Sequence, residues 1–194
     1  MTLNSQPIEH IRILDDEGRR ALVVDGVVIS VAVDDGARPS GYWAAMLPDG
    51  SPGSALLLGL GGGTLAHLLN RRYPGIQITG VDADGELIQF AREHFDLHLP
   101  NLEIVVGDAF EYVGRCPQRF DFVAVDLFAR YEFQRGALSK PFLRAIKLLA
   151  GHGEIVFNLF KDRGTAQHLQ RIGRVLRVQR LDQAGKNIVA HCRG

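Results

Sequence analysis

Apolar positions along the chain follow two regimes that change near residue 53. The first holds short β-branched runs, IRIL (11–14), RALVVD (20–25) and VVISVAV (27–33), with the hairpin-turn pair Asp25-Gly26 between the last two. Arg38-Pro39-Ser40-Gly41 then leads into a helical piece, YWAAML (42–47), and the turn cluster PDGSPG (48–53) marks a boundary. Beyond it, strands alternate with amphipathic helices. The strands are ALLLGL (55–60), IQITGVD (76–82), LEIVV (102–106), FDFVAVD (120–126) and GEIVFNLF (153–160). The periodicity predicts helices over 64–72, 85–95, 110–113, 138–149 and 163–173, with Asp84 capping the second. Nearly continuous apolar strands of this kind belong in a parallel sheet covered by helices on both faces. VLRVQRL (175–181) and NIVAHC (187–192), joined by a turn at 183–186, predict an antiparallel hairpin at the sheet edge. The expected fold is therefore α/β, with a seven-stranded, mostly parallel sheet closed by that hairpin. Residues 1–50 form a small β-hairpin appendage with a short helix, and residues 51–194 form the main domain.

Composition narrows the class. The 194 residues hold 22 basic and 22 acidic side chains, so bulk charge favours neither nucleic acid nor membrane as a partner. Residues 161–194 nevertheless carry eight Lys/Arg against two acids, read as a solvated face. Cys116 and Cys192 have no metal or redox spacing, and the histidines are scattered, so no metal is expected. The opening residues lack a secretory pattern and no apolar run is long enough to span a bilayer, which leads to the expectation of a cytoplasmic protein.

Candidate chemistry clusters after the strands, where open parallel sheets bind ligands. The first strand runs into Gly59-Leu60-Gly61-Gly62-Gly63-Thr64, a turn that lets backbone approach a ligand and is expected to present open amides at the next helix. The second ends at Asp82-Ala83, where a carboxylate can accept from both ribose hydroxyls. The third is followed by Gly107-Asp108-Ala109, where a carboxylate can meet an adenine amino group or cap a helix. The fourth ends at Asp126, over the reacting end of the ligand. Four such features at four successive strand ends predict an adenosyl-ligand pocket. A dinucleotide site wants glycine or alanine where Thr64 stands.

Residues 55–126 resemble the spermidine synthase branch of the class I AdoMet-dependent methyltransferases, a Rossmann-like fold, through LLLGLGGG, VDADGELIQFAREHF, VVGDAFEYV and FDFVAVD. The resemblance implies that Asp82 binds ribose, Asp108 binds adenine and Asp126 deprotonates the attacking nucleophile. It implies cofactor contacts from Gly59, Gly61, Gly62, Gly63, Thr64, Ala83 and Ala109. Tyr42 corresponds to a tyrosine facing the amine substrate, and Trp43, Leu127 and Phe128 are expected beside it. Two departures weigh against a polyamine. The family's glycine loop continues into an aspartate that holds the amino group of decarboxylated AdoMet, whereas this chain has Thr64. A second family aspartate that grips the polyamine is Ala129 here. A buried polycation needs several carboxylates, and Asp34, Asp35 and Glu132 are the acids left to supply them.

The leading expectation is an AdoMet-dependent methyltransferase acting on a small molecule. The alternative is an aminopropyltransferase using decarboxylated AdoMet, and a second alternative is a non-catalytic nucleotide-binding or assembly protein. A homodimer through the appendage is expected because its strands leave open edges.

Overall fold

The computed structural model describes residues 11–16, 19–33, 41–129 and 132–194. Strands β1 (Ile11–Asp16), β2 (Arg19–Val24) and β3 (Val27–Val31) form a three-stranded antiparallel sheet. Asp25 and Gly26 turn between β2 and β3 with φ of 50° and 82°, the paired positive φ for which Asp-Gly is suited. Helix α1 (Gly41–Ala45) follows.

The main sheet begins with β4 (Ser54–Leu58), α2 (Thr64–Arg72), β5 (Gln77–Asp82), α3 (Gly85–His94), β6 (Leu102–Val106), α4 (Ala109–Arg115) and β7 (Phe122–Val125). A miniature hairpin, β8 (Phe128–Ala129) and β9 (Glu132–Phe133), precedes a 3-10 turn over Arg135–Leu138. Then come α5 (Lys140–Ala150), β10 (Glu154–Phe160), α6 (Thr165–Gly173), β11 (Arg177–Ala184) and β12 (Asn187–Arg193). The sheet order is β11-β12-β10-β7-β4-β5-β6. β4, β5, β6, β7 and β10 run parallel, and β12 is antiparallel to both of its neighbours. The chain proceeds outward from β4 through β5 to β6, then returns to place β7 on the other side of β4. That reversal opens a crevice beyond the carboxyl ends of β4 and β7.

Alternation along the strands builds a core on each face. Leu56, Leu58, Val123, Val125, Ile155 and Phe157 face one cluster, with Phe142, Leu143 and Ile146 of α5. Ala55, Leu57, Phe122, Ala124 and Val156 face the other, with Leu65, Leu68 and Leu69 of α2. Trp43 and Met46 belong to this second cluster, so α1 packs on the main sheet. Asp84, Asp108 and Ser139 cap α3, α4 and α5 through side-chain oxygens. Among the described residues, no helix is long and apolar enough to cross a membrane.

The three-stranded sheet is fastened to the glycine turn by buried polar contacts. The Thr64 hydroxyl accepts from the Val31 amide and donates to the Val31 carbonyl, each at 2.8 Å, and the Gly62 amide donates to Ser30 Oγ at 2.7 Å. Thr64→Val keeps the volume but strands two buried backbone groups. It is expected to lower unfolding free energy by about 1–3 kcal/mol in urea titrations.

Candidate functional site

The glycine turn is closed upon itself. The amides of Leu60 and Gly61 donate to Asp82 Oδ2 at 3.0 and 2.8 Å, that of Gly59 to the Val81 carbonyl, and that of Gly63 to the Leu60 carbonyl. With Gly62 held by Ser30, every amide from 59 to 63 has an internal partner. The open amides expected at the next helix are therefore those of its first turn, Thr64 to Ala66, and not those of the glycine turn itself. Its glycines also have internal causes. A Cβ on Gly59 meets the Asp126 carbonyl, one on Gly62 meets Ser30 and Leu22, and one on Gly63 meets Leu97.

Three carboxylates stand beyond the strand ends. Asp82, at the end of β5, spends Oδ2 on the turn and accepts from the Asp84 amide at Oδ1, leaving acceptor capacity on Oδ1. Asp108 accepts from the Phe110 and Glu111 amides through Oδ1, so the predicted capping role is present. Ala83 is exposed beside Asp82, and Ala109 is buried in the first turn of α4.

Asp126 follows β7, next to β4, and is held by two polar groups. Asn158 Nδ2 donates to its Oδ1 at 2.7 Å, and Asn187 Nδ2 supports the Asn158 oxygen at 2.9 Å. The Tyr42 hydroxyl is the other polar group that acts on this carboxylate, as a donor. Burial pushes the Asp126 carboxyl up to about 6; the bonds from Asn158 and Tyr42 oppose that rise and the charge of Asp82 adds to it. Burial, then the Asp126 charge, holds Tyr42 well above the ordinary phenol value, so it remains a donor. The outcome is a carboxylate poised near neutrality, able to orient or accept a proton.

The expected substrate contacts divide. Tyr42 reaches Asp126 and packs on Trp43 with ring centroids 4.2 Å apart. Trp43 and Leu127, however, are 7% and 6% exposed and lie in the two cores, so their packing surface is already used. Phe128 is half-buried between Phe133 and Phe160. Thr64 is 2% exposed with its hydroxyl bound to β3. Asp34 and Asp35 lie outside the described residues, as do 38–40 and 130–131 of the segments flanking the acceptor side.

Sequence reasoning missed Asn158 and Asn187. The available signal was Asn158 itself, a lone amide inside the buried run EIVFNLF, one residue beyond the Phe157–Val125 pairing and so level with Asp126. A second polar group was missed at the opposite end of the sheet. There Asp49, Glu154 and His191 bring ligand atoms within 4.8 Å of one another. Arg180 bonds Asp49 and lies 2.8 Å from His191 Nε2, so a guanidinium already supplies the positive charge.

Comparison with known proteins agrees with this architecture. The methyltransferase-domain family model matches residues 55–153, just over half of the chain. A polyamine aminopropyltransferase of Vibrio vulnificus is 29% identical over 130 residues, covering 64% of this chain and 44% of that protein. The trans-aconitate 2-methyltransferase of Rhizobium meliloti is 36% identical over 75 residues, covering 39% of this chain and 28% of that protein. The chain thus spans less than half the length of either relative. A probable spermidine synthase from Corynebacterium glutamicum superposes with a TM-score of 0.79 at 23% identity, over 94% of this chain and 76% of that one. A spermidine synthase bound to the transition-state analogue AdoDATO gives 0.75 at 18%, over 97% and 72%. At such identities the structural matches speak for the fold, and the sequence match supplies the family. With its reversed strand order, closing antiparallel hairpin and acids at the strand ends, the chain belongs to the methyltransferase-domain family as a spermidine synthase-like member of the class I fold.

Proposed function

We propose that the protein is an AdoMet-dependent methyltransferase for a small molecule, with Asp126 orienting or deprotonating the nucleophile. The observation that carries this reading is the Asp126 carboxyl, raised to about 6 and held by Asn158 and Tyr42 at the switch point of the sheet. The surroundings suit an adenosyl sulfonium. The acids at the strand ends attract a cation, and turn carbonyls are the groups that can accept from an ammonium. Asp82 would take a ribose hydroxyl with its remaining capacity, and Asp108 the adenine amino group with Oδ2. Gly59, Gly61, Gly62 and Gly63 would contribute backbone surface rather than amide donors. Bound AdoMet supplies the electrophilic methyl, and the protein supplies alignment and a proton acceptor.

Aminopropyl transfer is the second reading, favoured by the names of the relatives from Vibrio vulnificus and from Hyperthermus butylicus. It asks for several carboxylates around a polyamine. The turn holds no aspartate, position 129 is alanine, and Glu132 is exposed.

Calorimetric titration with AdoMet, decarboxylated AdoMet, methylthioadenosine and NAD separates these readings. Tighter binding of AdoMet supports methyl transfer, tighter binding of decarboxylated AdoMet supports aminopropyl transfer, and no adenosyl binding overturns both. In the same assay Asp82→Ala is expected to weaken AdoMet by about 1–3 kcal/mol. An unchanged affinity removes Asp82 from the site.

A further inference from the structure

A cavity of about 350 Å³ opens beside the Asp126 crevice, lined by Arg135, Asp162, Arg163, Gly164, Gln167, His168 and Arg171. Arg135 comes from the 3-10 turn after β9, while Arg163 and Arg171 flank and end α6. These segments follow the carboxyl ends of β7 and β10, adjacent parallel strands, so the cavity shares the ligand-binding edge of the sheet. One aromatic layer lies between it and Asp126. His168 sits 6.2 Å from the Phe133 ring, Phe133 meets Phe128 at 5.5 Å, and Phe128 follows Asp126 by two residues.

The cavity has a net positive lining. Among the described residues, no ion pair joins Arg135, Arg163 or Arg171 to a carboxylate. The single acid, Asp162, accepts from the Gly164 amide at 2.7 Å and from the Thr165 hydroxyl at 3.3 Å, which offsets its charge locally. The pKa of His168 is lowered chiefly by burial; Asp162 opposes this, and Arg135 and Arg171 add smaller lowering effects. Three exposed guanidiniums from two separate segments, lining one half-open cleft, form the forked donor set that oxyanions take. A dication or trication is repelled by the same lining.

We propose that this cavity binds the carboxylate or phosphate group of the acceptor substrate, so that the protein acts on a small anionic molecule rather than a polyamine. The inference rests on the transferase reading above and gives the acceptor its chemical class. An acceptor of this kind places its anion among Arg135, Arg163 and Arg171 and its nucleophile across the Phe128–Phe133 layer at Asp126. The eight basic residues of 161–194, read from sequence as a solvated face, then include two with a specific task.

The test is calorimetric titration of the intact chain, at constant ionic strength, with citrate, inorganic phosphate and putrescine. Saturable binding of citrate or phosphate, and none of putrescine, is expected; the preferred anion identifies a carboxylate-bearing or phosphate-bearing acceptor. Arg135→Gln and Arg171→Gln should each weaken that anion by about tenfold or more, while Arg171→Lys loses less. Circular dichroism and an unchanged AdoMet affinity verify that the variants remain folded. Absence of saturable anion binding, equal binding in the glutamine variants, or saturation by putrescine overturns the proposal. Anion binding without any AdoMet binding leaves the cavity standing and removes the methyltransferase reading instead.

Discussion

Asp126→Asn is expected to abolish turnover almost entirely while making the protein more stable at neutral and alkaline pH. A positioned proton acceptor contributes roughly 10²–10⁴-fold to such reactions, and the amide cannot replace it. The geometry survives the change, because the asparagine oxygen still accepts from Asn158 and its amide can donate to the Tyr42 oxygen. AdoMet affinity should therefore stay within a few-fold. Stability moves the other way. The folded carboxyl sits near 6 against an ordinary 3.8, so the native state holds its proton more tightly than the unfolded chain. Its stabilising contribution is complete below about pH 4 and is lost as pH rises through about 6. Asparagine has no proton to lose. In urea titrations the variant and wild type should converge near pH 4 and diverge to roughly 3 kcal/mol above pH 7, at about 1.36 kcal/mol per unit. Parallel stability curves would show that Asp126 is not raised. The same titration gives wild-type kcat/KM an acid limb near pH 6, absent from the variant. In the AdoMet complex the sulfonium charge lowers that limb.

Gly59→Ala is the substitution expected to damage the fold most. Gly59 has φ of 88°, and a Cβ there falls 2.2 Å from the Asp126 carbonyl oxygen. Both partners are pinned, since the Gly59 amide binds the Val81 carbonyl and the Asp126 amide binds the Leu58 carbonyl at 2.8 Å. The clash can be relieved only by parting β4 from β7 at the point where Asp126 is presented. Positive φ alone costs about 1–3 kcal/mol, so a total loss of about 3 kcal/mol or more is expected, with AdoMet binding lost alongside. Gly114→Ala in α4, where an added Cβ meets nothing within 4 Å, provides the control. It should stabilise by about 0.5–1 kcal/mol. Equal effects at the two positions would mean that the Gly59 contact is not real.

What the sequence disclosed follows the range of each interaction. Four of the five parallel strands were legible as runs buried on both faces, as in Ala55–Leu58 and Phe122–Val125, while the edge strand β6 was legible from its β-branched residues alone. The helix 64–72 was legible from Leu65, Leu68 and Leu69 on one face. The stretch 127–137 read as loop because β8 and β9 are two residues each, too short for any period to register. Asp126 was legible because it ends an apolar run. Its supports were not, since Asn158 lies 32 positions further on and Asn187, which braces Asn158, lies 61 further on, and strand pairing alone brings them together. The engagement of the Thr64 hydroxyl was hidden for a related reason. Beside a glycine turn it resembles a ligand contact, and only the docking of β3 reveals a hydroxyl already engaged.

Strand β12, formed by residues 187–193, lies inside the sheet between β10 and β11. Its His191 reaches back 146 positions to the Ala45 carbonyl, and Arg180 reaches back 131 to Asp49. During synthesis, β10 therefore waits with an open edge until β12 has left the ribosome, and α1 lacks its polar anchor for the same interval. Contacts so distant in sequence form slowly, and an unpaired Ile155–Leu159 edge is a template for other strands. The window of aggregation risk for this sheet thus stays open until β12 has been made, and a chaperone or a slow codon acting before then would have its greatest effect.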